Sequence, residues 1–155
     1  MLSQKIKKIK NYWYLLTYLL FFHVSCNDIN SLVDGFWAID YLEFKGEYRM
    51  LELTSNIIIF KRNKVSLPST FENYEDINQE KGFWRIEVEK QQYYIIFETE
   101  NKYFSGKHKI CFLKDHENKL IKMIVKSENL YFEATKGLFN FDKHNYLFDK
   151  YLCKD

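Results

Sequence analysis

Short alternating runs dominate the chain from residue 36 onward. In residues 83–89, Trp84, Ile86 and Val88 fall on one side, and Phe83, Arg85, Glu87 and Glu89 on the other. That period of two marks a half-buried strand. Ile121, Met123 and Val125 alternate in the same way with Leu120, Lys122, Ile124 and Lys126. Residues 92–99 are apolar on both faces over much of the run. Residues 36–44, 47–53, 56–61, 107–114 and 129–135 also read as strands, as does a short run at 64–67 ending at Pro68. Residues 45–47, 105–107, 115–118 and 127–129 separate consecutive runs and carry turn-forming side chains. Hairpins in succession predict a mainly β fold, an antiparallel meander. Eight or nine short strands must protect their edges, and closure into a barrel removes those edges. A two-sheet sandwich is the alternative.

Two segments break the alternation. Between Pro68 and Lys81, the acidic residues Glu72, Glu75, Asp76 and Glu80 mark a loop or a brief helix. In residues 138–152, Leu138, Phe141, Asn145, Phe148 and Leu152 recur near helical spacing. A C-terminal helix packed on the sheet is expected there, with a final strand as the alternative.

The first 25 residues follow another pattern. Lys5, Lys7, Lys8 and Lys10 precede an apolar or weakly polar run, residues 12–22, and His23-Val24-Ser25 then leads to Cys26. A basic start, a short apolar run and a small residue before the cut compose a signal peptide. The run is shorter than the roughly 20 residues that span a bilayer as a helix. The segment resembles a bacterial lipobox, in which cleavage precedes a Cys that then carries acyl chains. Ser25 and Val24 suit the two preceding positions, while His23 replaces the usual Leu. The expected organisation is therefore a signal peptide over 1–25, a lipidated tether over 26–33 with Cys26 as the lipidation site, and one β-rich domain over 34–155; an ordinary secretory signal and an uncleaved anchor are the alternatives for the leader. The resemblance implies a membrane-anchored protein of the bacterial cell envelope and leaves the face open.

Charge sharpens this. The whole chain carries +2, which falls to −2 once the four leader lysines are set aside. A near-neutral domain is a poor nucleic-acid binder. Cys111 and Cys153 remain after Cys26, and an exported protein meets oxidising conditions. They are a candidate disulfide; the other reading is a buried strand cysteine and an unrelated terminal one. No Cys-x-x-Cys spacing suggests zinc. His108, His116 and His144 lack metal or catalytic spacings, His116 reading as a turn residue and His108 as a strand residue facing water. The acidic stretch lacks the ligand alternation of a calcium loop. No catalytic or metal site and no cofactor is assigned, and the chain reads as a non-enzyme.

Gly35-Phe36-Trp37 opens the first strand of the domain. Lipocalins carry a Gly-x-Trp there, with the Trp across the closed base of the barrel and a basic residue of the last strand packed on it; Lys136 is the match here. The chain resembles small lipocalin-like lipoproteins of Bacteroidetes, over most of residues 34–136. Gly82-Phe83-Trp84 repeats the triplet. The resemblance implies a barrel that binds a small apolar molecule, with Trp37, Trp84, Tyr94, Phe97 and Phe112 as candidate lining residues. Ordinary core packing is the competing reading for each. The rival role is a protein-interaction module of the envelope, an assembly factor or immunity-type protein.

Overall fold

A computed structural model describes residues 27–73, 80–115, 117–137 and 151–153. The leader with Cys26, residues 74–79, His116 and the expected helical tail at 138–150 lie outside the described residues. Two units divide the chain, Met1–Leu32 and Val33–Asp155. A seven-residue helix, α1 (Asn27–Val33), ends at the start of the second.

The second unit is an antiparallel barrel. Its strands are β1 (Gly35–Phe44), β2 (Glu47–Tyr48), β3 (Ile57–Lys61), β4 (Lys64–Ser66), β5 (Lys81–Glu89), β6 (Gln92–Thr99), β7 (Gly106–Asp115), β8 (Leu120–Lys126) and β9 (Leu130–Gly137). Each strand from β3 onward pairs with the next, and β1 closes the ring. Gly35 to Ala38 pair with β3, whereas Ala38 to Phe44 pair with β9. Eight strands thus form a closed wall, and β2 is a stub on the far end of β1. The β1–β9 ladder sets the sandwich alternative aside.

The run 47–53 is a strand only over two residues. Arg49 binds both Glu47 and Glu52 and its amide reaches Leu42 O, so the chain folds back as a 3-10 turn over Met50–Glu52.

Alternation decides the inside of the wall. Ile58 and Phe60, Trp84, Ile95 and Phe97, Ile110 and Phe112, Ile121, Met123 and Val125, and Phe132 and Ala134 are buried, with exposed or half-buried residues between most of them. On β1 the register slips between Ile39 and Tyr41, so Ile39 and Leu42 are both buried. Such a bulge restores inward facing after one extra residue.

Three hairpins turn in two residues: Lys45-Gly46, Arg62-Asn63 and Lys90-Gln91. Lys45, Lys90 and Gln91 hold positive φ without being glycine. Such φ values suit the turns whose twist matches a hairpin.

One seam is mended from outside the meander. β6 and β7 pair only from Tyr94↔Lys109 to Phe97↔Gly106. Beyond that point, Phe112 N donates to Tyr151 O and Cys153 N donates to Phe112 O. Cys111 and Cys153 form a disulfide with Cα atoms 4.9 Å apart. The last described residues thus take the place along β7 that β6 leaves.

Candidate functional site

The barrel has two unlike ends. At the base, where β1 begins, Trp37 is fully buried and its Nε1 donates to Val33 O at 2.6 Å. Lys136 Nζ lies 4.6 Å from the Trp37 ring centre and donates to Asp34 O at 2.9 Å. The ring face favours the ammonium, while burial opposes it and pushes the Lys136 pKa down to about 8.

Inside, aromatic rings touch one another from base to mouth. Trp37 meets Phe112 at 6.1 Å, Phe60 meets Trp84 at 5.2 Å and Phe97 at 6.1 Å, and Phe104 meets Phe97 at 6.3 Å and Phe132 at 5.6 Å. Trp37, Trp84, Phe97 and Phe112 therefore share the interior. Tyr94 does not, which corrects its place among the lining candidates. It opposes Glu87 and Lys109, and Lys107 Nζ lies 4.7 Å over its ring on the outer face. Residues 92–97 are apolar on both sides of the strand, so alternation there had no polar face to fix the sense.

His108 is a second correction. It is 4% exposed and faces inward beside Phe97. Its Nε2 sits 2.8 Å from Phe104 O. A carbonyl only accepts, so Nε2 carries the proton, and Nδ1 is a buried acceptor with no partner among the described residues. Burial lowers the His108 pKa. Its two-residue spacing from Ile110 and Phe112 was the signal that places it inside. Trp84 Nε1 is also buried without a partner among the described residues.

The mouth is covered by loops. Asn101 Nδ2 donates to Pro68 O, and its Oδ1 accepts from Tyr103 N. Thr54 N and Oγ1 both reach Ser69 O, and Ser69 Oγ donates to Glu80. Tyr103 OH donates to Glu52, which with Arg49 holds the Glu52 carboxyl below its usual range. Phe104, fully buried, fills the space beneath.

Clefts lined by described residues open outside the wall. One of about 440 Å³ lies near the mouth, between the 45–46 and 127–129 turns, with Tyr41, Glu43, Lys126, Tyr131 and Glu133 among its lining. Tyr41 packs on Tyr48 at 5.6 Å and on Tyr131 at 5.8 Å. Tyr41 OH donates to Glu43 and Tyr131 OH to Glu133. The Glu133 carboxylate lifts the Tyr131 hydroxyl to about 12. Lys122, and then Tyr131, hold Glu133 below its usual range. A larger cleft of about 890 Å³ runs over β3 to β6, past Ile59, Lys61, Lys64, Lys81, Phe83 and Glu98.

Among the described residues, no group of three His, Cys, Asp or Glu side chains could hold a metal ion, and no helix is long and apolar enough to cross a membrane. Comparison with family models, curated proteins and solved structures gives no match.

Proposed function

We propose that the protein is an exported, lipid-anchored component of the bacterial cell envelope whose lipocalin-like barrel binds a protein partner on its outer wall near the mouth. The tyrosine cleft carries this reading. Tyr41, Tyr48 and Tyr131 cluster on the outside, and Tyr48 is 53% exposed. Tyrosine anchors protein interfaces because it offers a large ring and a polar tip. Glu43, Glu128 and Glu133 beside the rings suit a partner segment bearing lysine or arginine. The cleft lies at the end of β1 farthest from the expected tether.

Two experiments test it. Intact mass of the membrane-extracted protein, beside Cys26→Ala, is expected to give a chain starting at Cys26 with acyl mass. An unmodified mass overturns the anchor. A photoreactive residue at position 48 is expected to give a partner adduct that the same group at 113 does not. Adducts at neither site overturn the interface.

One observation favours a second reading, a small ligand inside the barrel. His108 Nδ1 and Trp84 Nε1 are a buried acceptor and a buried donor without partners among the described residues, and such groups carry a desolvation cost. An apolar molecule with a hydroxyl or carbonyl head would satisfy one of them. Titration with medium-chain fatty alcohols and acids, followed by Trp84 fluorescence, separates the readings: a saturable change that Trp84→Phe abolishes supports the ligand, and a flat response removes it.

A further inference from the structure

The outer wall of β1 and β3 joins two features beside the point where the chain enters the barrel. First, it exposes large apolar groups side by side. Phe36 is 70% exposed and lies directly opposite Ile59, and Ile57, two residues along β3, is 46% exposed. Second, it is rimmed by cations that no carboxylate among the described residues bridges. Elsewhere on the wall, Lys107 binds Glu87 and Glu89, Lys122 binds Glu133, Lys102 binds Glu72, and Arg85 binds Glu87 and Glu98. At the base end of β3 and β4, Lys61, Arg62 and Lys64 are all exposed, and none of the described carboxylates bridges their side chains. Asp34 takes the backbone amide of Arg62 at 2.9 Å rather than its guanidinium. Across the neighbouring cleft, Glu98 is occupied by Arg85.

The same wall is where the chain enters the barrel. Asp34 touches Arg62, and Gly35 pairs with Phe60. Cys26 precedes Asp34 by only eight residues, and eight residues reach at most about 28 Å when fully extended. Acyl chains on Cys26 would therefore hold this end of β1 within about one barrel width of the lipid. An exposed phenylalanine and two isoleucines rimmed by lysine and arginine match the order of a bilayer interface, apolar below and anionic at the headgroups. A soluble wall has no need of both features at the point of attachment.

We propose that the β1–β3 wall lies on the bilayer, with Phe36, Ile57 and Ile59 at the interface and Lys61, Arg62 and Lys64 on anionic phospholipid headgroups. This rests on the anchoring reading above and adds an orientation to it: the barrel lies on one side, and the tyrosine cleft at the mouth remains open to a partner.

The test uses full-length protein extracted from membranes and reconstituted into vesicles containing about a third phosphatidylglycerol, an anionic lipid. Single tryptophans replace exposed residues, as Phe36→Trp, Ile57→Trp and, on β7 across the barrel, Leu113→Trp, which is 42% exposed. The native tryptophans contribute equally to all three. Phospholipids brominated along their acyl chains quench tryptophans at the interface. Quenching at positions 36 and 57, but not at 113, is the expected result, reduced at least about two-fold by Lys61→Glu with Lys64→Glu. Equal quenching at all three positions overturns the orientation, whether the barrel swings free or a protein covers that wall. Intact mass of the same samples keeps the two readings apart. Acylated protein without differential quenching retains the anchor and discards the face. Unacylated protein that is still quenched at 36 and 57 discards the anchor and retains the face.

Discussion

The two ends of the barrel are closed by different means. At the base one side chain does most of the work. Trp37 fills the end, its Nε1 binds Val33 O, and Lys136 lies on its face. At the mouth no single group dominates. Asn101, Thr54, Ser69, Tyr103 and Glu52 tie loops from distant parts of the chain over Phe104. A plug made of one ring fails when that ring is cut. A cover made of many polar contacts loosens step by step, and its weak points are the buried polar atoms it leaves beneath. Conformational change is thus expected first at the mouth.

Four experiments would break or sharpen this contrast. The largest effect is expected at the base: Trp37→Ala should cost about 3–5 kcal/mol in urea denaturation, the range for deleting a large buried aromatic. Next comes the mended seam. Cys153→Ser, or reduction, opens a loop of 42 residues and should cost about 2–4 kcal/mol. At the mouth, Asn101→Ala orphans Pro68 O and Tyr103 N and should cost about 2 kcal/mol. Hydrogen exchange should then speed up in residues 101–105 and leave residues 35–39 unchanged. Equal acceleration at both ends would erase the distinction.

The smallest effect is a pH response of the same sense at the two ends, in two separate pH windows. His108 is held neutral by burial, below its ordinary value of 6.5. As pH falls below 6.5 the unfolded chain takes the proton first, so stability should fall with acid. Lys136, at about 8 against an ordinary 10.5, works in the same sense at higher pH. Between those values the unfolded chain is the more protonated, so stability should rise with pH. Urea midpoints from pH 5 to 10 check both slopes; His108→Leu should flatten the acid limb and Lys136→Met the alkaline one. An acid limb unchanged in His108→Leu would remove His108 from the account.

Much of the wall was legible because polar and apolar residues alternate cleanly in β5 and β8. The Trp37–Lys136 contact was legible only through resemblance, since no periodicity joins residues about a hundred apart. Tyr94 and His108 were misplaced for opposite reasons. Residues around Tyr94 are apolar on both faces, so the strand's sense is undetermined. Histidine suits water and core alike, and its polarity outweighed the better signal from Ile110 and Phe112. The turns at 62–63 and 90–91 went unread because Lys90-Gln91 and Arg62-Asn63 lack the Gly that positive φ usually favours. The tyrosine cleft was invisible because its residues meet only through the β1–β9 and β8–β9 ladders.

That β1 pairs at once with β3 and with β9 has a consequence in time. Every other ladder joins neighbours in the chain and can form as a hairpin, within microseconds of both strands being present. The bond from Thr135 to Asp40 spans 95 residues, so it must wait for the end of the chain. Synthesis from the N-terminus delivers β1 first and β9 near the last. Through most of that time β1 carries an open edge, the kind that recruits strands from other molecules. The strand that starts the barrel is the last to be fully paired, and the interval before β9 arrives is when the chain is most exposed to aggregation and most in need of being held apart from its copies.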